Sequence, residues 1–458
     1  MKLSQVKTPS GGCATPRDRC GPTKESARLL LKILVPAVAV TVTLAGCSSG
    51  NSIPTEGSPS GSVAVGRGGS QTLPNGEVVA TDIFNPTSEN QEATIRNYDK
   101  IPGVNTRAIP ADPSKSKPIE RSEIPLGDIS FILDEEDRNL DYYFEEFPIG
   151  GLLVLKDGKI AYERYGLGNN DQTRWTSMSI AKSVTSTLVG AAIKDGLIGS
   201  LQDPITKYLP ELNETPYKDN TIQQLLRMSS GIRWDEWPYE TVEAGGKNDI
   251  SKYFAAFNSQ DPNAMMNLMK SVSRTAPPGS RYNYNTGDYF LLTEVLSRAT
   301  GKTVSDYFSE KIWKPAGMEK DGFWLLDSPD GGELGGTGFS ATLRDYGRYG
   351  QFILNGAPGT VPDGWFKEAA RPSSANGGEY GYGWKGTPAS AWASVDNSPN
   401  TLLPFGHTGI YGQKLYIIPE QNIVIVQWGA YTAKEQFETQ PEAAAWTAVR
   451  EAIVAKLK

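Results

Sequence analysis

The 458-residue chain has one histidine and three cysteines, and no run of Lys or Arg longer than two. With only His407 available, a His-rich zinc site is excluded and a Ser-His-Asp triad loses most of its basis. Any acid–base chemistry must draw on other side chains. Cys13, Cys20 and Cys47 are too few for a disulfide framework. Against 52 acidic residues stand 45 basic ones, for a formal charge of −7, so no basic stripe tracks phosphates and no nucleic-acid partner is expected. Asp and Glu do not cluster at metal-ligand spacing, and no glycine-rich phosphate loop follows a strand pattern. Neither metal nor organic cofactor is expected. What is present suffices for a large core, since 38% of residues are apolar. The length would hold about three domains of roughly 150 residues, or one long catalytic unit beside shorter segments.

The first 46 residues read as an address. Seven basic side chains between Lys2 and Lys32 precede an apolar stretch from Ile33 to Leu44. That stretch is too short to span a hydrocarbon core of roughly 30 Å but suits the apolar region of a signal peptide. It ends in Leu44-Ala45-Gly46-Cys47, which resembles the lipobox of bacterial lipoproteins. The resemblance implies cleavage before Cys47, lipidation of that residue, and a protein held on the outer side of a bacterial membrane. Cleavage would leave Cys47 as the sole thiol and the remainder more acidic than the whole.

Residues 47–80 are rich in Gly, Ser, Pro and Asn, as in Ser58-Pro59-Ser60-Gly61-Ser62. Such a composition buries too little to order itself and reads as a flexible tether reaching about 30 Å. Residues 81–146 are polar and punctuated by proline, and are expected to lie as an arm over a body spanning 147–458. Within that body, Leu152–Leu155 and Ile160–Tyr162 flank an Asp157-Gly158 turn as a hairpin. Thr176–Ile198 reads as a helix, and residues 200–330 as helices broken by Pro and Gly. Gln413–Ile418 and Asn422–Gln427 read as strands, and Trp446, Val449, Ile453 and Leu457 mark one face of a last helix. Strands at both ends with helices between predict an α/β (α+β) fold. One sheet is built from both ends of the body and flanked by helices, with a largely helical insertion.

Three Ser-x-x-Lys tetrads occur, and only Ser179-Ile180-Ala181-Lys182 opens an apolar helix. Spacing i, i+3 puts Lys182 beside Ser179 on one face, and the helix N-terminus adds positive potential there. A lysine desolvated by the insertion loses its proton at lower pH and can serve as a base. A capping serine with a surface lysine would give the same four letters, so the remaining motifs decide. Pro278-Gly279-Ser280-Arg281-Tyr282-Asn283-Tyr284-Asn285-Thr286-Gly287, followed by Leu291-Leu292, and then Gly406-His407-Thr408-Gly409 occur in that order. Together they resemble the class C β-lactamase and DD-peptidase superfamily across roughly residues 150–458. Ser229-Ser230-Gly231, Gly335-Gly336-Thr337-Gly338 and Tyr380-Gly381-Tyr382-Gly383-Trp384 add supporting matches.

The resemblance implies a β-lactamase/transpeptidase-like fold and a set of roles. Ser179 would be the acylated nucleophile, Lys182 its base, and Tyr284 a second proton carrier, made more acidic by the neighbouring ammonium. The backbone N–H groups of Ser179 and Ile410 would form the oxyanion hole, with His407, Thr408 and Gly409 lining the site opposite Ser179. Two departures from the superfamily stand out. Thr286 occupies the place usually held by Asn in the second motif, although another register exchanges Tyr282 and Tyr284. His407 replaces the usual Lys of the third motif, and a neutral His binds a carboxylate less firmly than a fixed cation. Within the superfamily the chain is most similar to the 6-aminohexanoate-dimer hydrolase-like branch, where a Tyr beyond the Ser-Ser-Gly segment lines the site; Tyr239 is the candidate. Trp384 and Tyr382 read as wall or core. The expected activity is hydrolysis of a small ester or amide by a lipid-anchored serine hydrolase. A penicillin-interacting DD-peptidase or β-lactamase, and a ligand-binding surface lipoprotein without catalysis, are the alternatives.

Overall fold

The computed structural model describes residues 69–123, 125–237, 245–373, 380–393, 402–432, 436 and 441–458. All of them belong to the compact unit Val63–Lys458. The expected signal segment, Cys47, most of the tether and Tyr239 lie outside the described residues. No helix among the described residues is long and apolar enough to cross a membrane.

Strands β1 (Ile149–Lys156) and β2 (Lys159–Tyr165) meet at Asp157-Gly158. Both turn residues have positive φ, 54° and 76°, as a two-residue hairpin matching strand twist requires. The chain returns to this sheet as β3 (Lys385–Gly386), β4 (Phe405–Gly409), β5 (Gln413–Ile418) and β6 (Ile423–Gly429). The order is β3-β4-β5-β6-β1-β2, antiparallel throughout. Val426 pairs with Leu153, so the sheet is built from both ends of the body. Strand residues alternate between two apolar clusters, as a period of two demands. Leu153, Leu155, Val424 and Val426 join the larger one, while Leu152, Val154, Ile423 and Ile425 join the smaller.

On the larger cluster's side lie α1 (Ala181–Lys194), α2 (Thr286–Thr300) and α3 (Leu343–Leu354). On the other lies α4 (Pro441–Lys456), whose Val449 and Ile453, with Leu457 just beyond it, meet Ile423 and Ile425 in the smaller cluster. Helix α1 is shorter than the expected Thr176–Ile198. At its start, Trp175 and Thr176 pair as a strand with Ala341 and Ser340, and Met178–Ile180 forms a tight 3₁₀ turn. At its end, Gly196 turns left-handed with φ 74°. Residues Ala181 to Ala192 are all buried, so the helix is core on every side. Its hydroxyls find backbone partners: Ser183 Oγ donates to Gly383 O (2.6 Å) and Thr185 Oγ1 to Gly335 O (2.8 Å).

Residues 81–146 supply Thr106–Ile109 to a second antiparallel sheet, with Gly322–Leu325, Phe339–Ala341 and Trp175–Thr176. Their Ile83, Phe84, Ile95 and Tyr98 are buried in the larger cluster. Between α1 and the strand Gly322–Leu325 the described elements are helices, some as short as Ile222–Leu226, which is capped by a reciprocal Thr221–Gln224 box.

Helix α3 reaches the sheet through glycine. A Cβ on Gly350 would sit 2.5 Å from Val424 Cγ1 and 3.0 Å from Leu415 Cδ1, and one on Gly347 would sit 2.5 Å from Leu153 Cδ2. In an unpacked helix Gly→Ala gains roughly 0.5–1 kcal/mol. Here overpacking of about 1–3 kcal/mol opposes that gain. Gly350→Ala is therefore expected to lower the urea unfolding midpoint; a raised midpoint would show that α3 is not in fixed contact with β5 and β6.

Candidate active site

The site begins with the turn that presents Ser179. Met178 holds φ 44°, a left-handed conformation unusual for a side chain of this size, and the strain bends the chain sharply between the strand Trp175–Thr176 and α1. Ser179 is consequently half-buried just ahead of the helix N-terminus. Strand β4 approaches this turn closely because Gly409 has no side chain: a Cβ there would lie 2.6 Å from Ser177 O and 2.8 Å from Met178 Cβ.

Lys182, in the first turn of α1, is completely buried. Its Nζ lies 3.1 Å from Ser179 Oγ and donates to Gly336 O at 2.8 Å. Gly336 itself is fitted against Thr286, since a Cβ would fall 2.7 Å from Thr286 Cγ2. Tyr284 shares the cleft with Ser179. Its ring centroid stands 4.9 Å from Lys182 Nζ. Tyr282 lines the same cleft; of the two, Tyr284 is the one whose ring stands beside Lys182.

Burial drives the electrostatics. Desolvation pushes the Lys182 ammonium down to about 7, against the opposing pull of the Glu236 carboxylate. Glu236 is the residue the sequence reading missed. It is 5% exposed, accepts from Thr286 Oγ1 and Trp234 Nε1, and is raised by burial, with Lys182 restraining the rise. Its only local signal is the run Trp234-Asp235-Glu236-Trp237, two acids between two indoles. Tyr284 departs from expectation. Burial first, then the negative charge of Glu236, raise its phenol well above the usual 10, outweighing the lowering influence of Ser179. It remains a neutral phenol at neutral pH and is not made more acidic by its cationic neighbour.

Ser179, Glu236, Tyr284, Thr408, Gly409 and Ile410 line one cleft of about 350 Å³. Thus Ser179 and Ile410, whose N–H groups were expected to face an oxyanion, share a wall with Thr408 and Gly409. Two expected substrate contacts do not reach this cleft. Thr286 is 2% exposed and spends its hydroxyl on Glu236, because it opens α2 from beneath the site. His407 points to the other face of β4 from Thr408, as alternation along a strand requires. It is 2% exposed, with Nδ1 2.8 Å from Thr408 O and Nε2 3.5 Å from Tyr380 Oη, and Tyr380 in turn packs against Tyr282 and Tyr284 of the cleft. Burial, with the charges of Lys385 and Lys182, holds its imidazole well below the usual 6.5, so it is neutral. Tyr382 accepts from Gln223 Nε2 (2.7 Å) and Trp384 is buried beside Phe405, both as wall. No cluster of three or more metal-binding side chains occurs among the described residues.

Taken together, the arrangement offers a nucleophilic hydroxyl, a lysine poised near neutrality, a neutral phenol as proton donor, and a helix N-terminus directed at the cleft.

The β-lactamase family profile matches residues 139–452. The 6-aminohexanoate-dimer hydrolase of Paenarthrobacter ureafaciens is 26% identical over 301 residues, covering 64% of this chain and 75% of that one. A D-aminopeptidase of Brucella anthropi is 26% identical over 181 residues, 38% of this chain and 32% of its own length. This chain therefore matches about a third of that relative. A solved Bacillus anthracis structure, provisionally assigned as a 6-aminohexanoate-dimer hydrolase, superposes with a TM-score of 0.67 at 20% identity. It covers 81% of this chain and 95% of that chain, a likeness of fold.

Proposed function

This chain belongs to the β-lactamase family and is a serine hydrolase, and on that premise we propose that it cleaves small esters or amides through an acyl-enzyme on Ser179. The observation that carries the reading is Lys182 Nζ at 3.1 Å from Ser179 Oγ, with Tyr284 in the same cleft and its ring centroid 4.9 Å from that nitrogen. Neutral Lys182 takes the hydroxyl proton as Oγ attacks the carbonyl carbon. The backbone N–H groups of Ser179 and Ile410 stabilise the negative oxygen that forms. As the tetrahedral species collapses, Tyr284 passes its proton to the leaving group and recovers one from Lys182. Water then attacks the acyl-enzyme by the same relay run backwards, releasing the acid and restoring Ser179.

The names of the relatives, a 6-aminohexanoate-dimer hydrolase and a D-aminopeptidase, support small amides as substrates. A penicillin-directed role is less well supported. Thr286 is turned toward Glu236 and the third motif offers a neutral His407 in place of a lysine. Leu44-Ala45-Gly46-Cys47 supports a lipid anchor on Cys47, with the body held outside the cytoplasm by a tether.

Three outcomes follow. Full-length protein in detergent should hydrolyse p-nitrophenyl butyrate, and Ser179→Ala should lower the rate by at least about 10³-fold. Equal turnover in both would assign the chemistry to another serine. Because Lys182 must be neutral to act and sits near 7, kcat/KM should rise with pH through about 7. Glu236→Gln removes the negative charge that favours the ammonium, so Lys182 deprotonates more readily and the acid limb should move down by about one unit. A limb that stays or moves up would refute the coupling. Expressed in a bacterium, the chain should incorporate radiolabelled palmitate and sediment with membranes. Cys47→Ala should lose the label, and persistence of the label would refute lipidation at Cys47.

A further inference from the structure

The two N–H groups expected to face the oxyanion come from segments far apart in the chain, and one buried side chain holds both segments. Ile410 follows the end of β4 and opens the turn Ile410–Gly412. Within it Tyr411 has φ 69° and Gly412 φ 89°, so the backbone is left-handed at successive residues, the first of them a tyrosine. Such a conformation persists only where its surroundings fix it. Gln413, the first residue of β5, does so. It is 1% exposed, and its Nε2 donates to Gly429 O at 2.7 Å and reaches Tyr411 O at 3.2 Å and Ile410 O at 3.4 Å. Its Oε1 accepts from Gly429 N at 3.2 Å and from Trp175 Nε1 at 3.0 Å. Trp175 belongs to the short strand that leads into the Met178 turn and Ser179, and its ring is stacked on Trp428. Both ends of the amide are engaged, and reversing it would set carbonyl against carbonyl.

We propose that Gln413 is a positioning residue for the oxyanion hole, setting the distance between the N–H groups of Ser179 and Ile410. The inference deepens the reading of the chain as an acyl-enzyme hydrolase and rests on it. Nε2 holds the turn that carries Ile410 from its carbonyl side, and Oε1 holds the approach to Ser179 through Trp175. Gln413 is not among the described residues lining the cleft, so it acts through backbone and touches no substrate. Donors stabilise an oxyanion when they stand about 2.7–3.1 Å from it, so a small displacement of Ile410 costs rate and leaves ground-state binding in place.

The test measures p-nitrophenyl butyrate hydrolysis, and its inhibition by phenylboronic acid, on the full-length protein in detergent. Boron accepts an electron pair from Ser179 Oγ, whose proton passes to Lys182, and an oxygen of the resulting tetrahedral anion occupies the hole. Gln413→Met keeps the side chain's length and removes its hydrogen bonds. It should lower kcat about ten- to hundred-fold, less than the 10²–10³-fold loss of a deleted donor. KM should stay within about two-fold, because acylation and deacylation pass through the same oxyanion. The boronate Ki should rise by the factor that kcat falls. The acid limb near 7 should not move, since the charges around Lys182 are unchanged. Trp175→Phe removes only the link toward Ser179 and should give the same pattern at about three- to ten-fold. It carries the test if circular dichroism shows Gln413→Met unfolded. Wild-type kcat and Ki in a folded variant, or a fall in kcat with Ki unmoved, would overturn the positioning role. Ester turnover insensitive to Ser179→Ala would instead overturn the acyl-enzyme mechanism itself.

Discussion

The site depends on keeping the Lys182 ammonium out of water. An exposed lysine at this spacing would stay charged near neutral pH and could accept nothing from Ser179. Complete burial inverts that, and the rest of the local structure follows from achieving it. Helix α1 is packed on all sides, so its first turn cannot reach solvent. Gly336 gives Lys182 a carbonyl partner, and Gly383 lets backbone close over the helix, where a Cβ would stand 2.5 Å from Lys182 O. Desolvating a charge without compensation would be destabilising, and Glu236 supplies the compensation. The carboxylate keeps Lys182 near neutrality instead of far below it. Thr286 and Trp234 in turn hold that carboxylate.

This arrangement explains why Thr286 tolerates the place of an asparagine. At the start of α2 its side chain supports Glu236 from below and contributes no wall to the cleft. It also explains the state of Tyr284. Burial together with the charge of Glu236 keeps the phenol protonated although a lysine stands beside its ring. The base and the acid are thereby divided between two residues: one loses its proton easily, the other holds it.

What the sequence made legible is what local geometry determines. Ser179 and Lys182 lie i, i+3 at a helix start, and their meeting follows from helical periodicity. The hairpin at Asp157-Gly158 and the apolar runs of β1, β5 and β6 carry their own turn and period signals. The start of α1 was less legible, because pairing of Trp175 and Thr176 with Ser340 and Ala341 overrides the helical pattern from far along the chain. Glu236 gave almost no signal, since its importance arises from tertiary burial beside Lys182. Lys385 lies more than 200 residues from Ser179, and only the register of β3 on β4 reveals that it shares their cleft.

That last relation bears on how the motif should be understood. A short motif names positions along one strand, whereas a substrate meets a surface made by several strands. Cross-strand neighbours on one face are as close as residues two apart in sequence. A charge can therefore leave a motif position and re-enter the same cleft from the adjacent strand without altering the sheet. With His407 turned to the opposite face of β4 and neutral, its identity informs the packing against Tyr380 more than recognition in the cleft. The pairing Lys385–Gly406 brings a charged residue into the cleft that Thr408 lines, a neighbourhood that follows from the sheet's register and that the motif letters of one strand do not record.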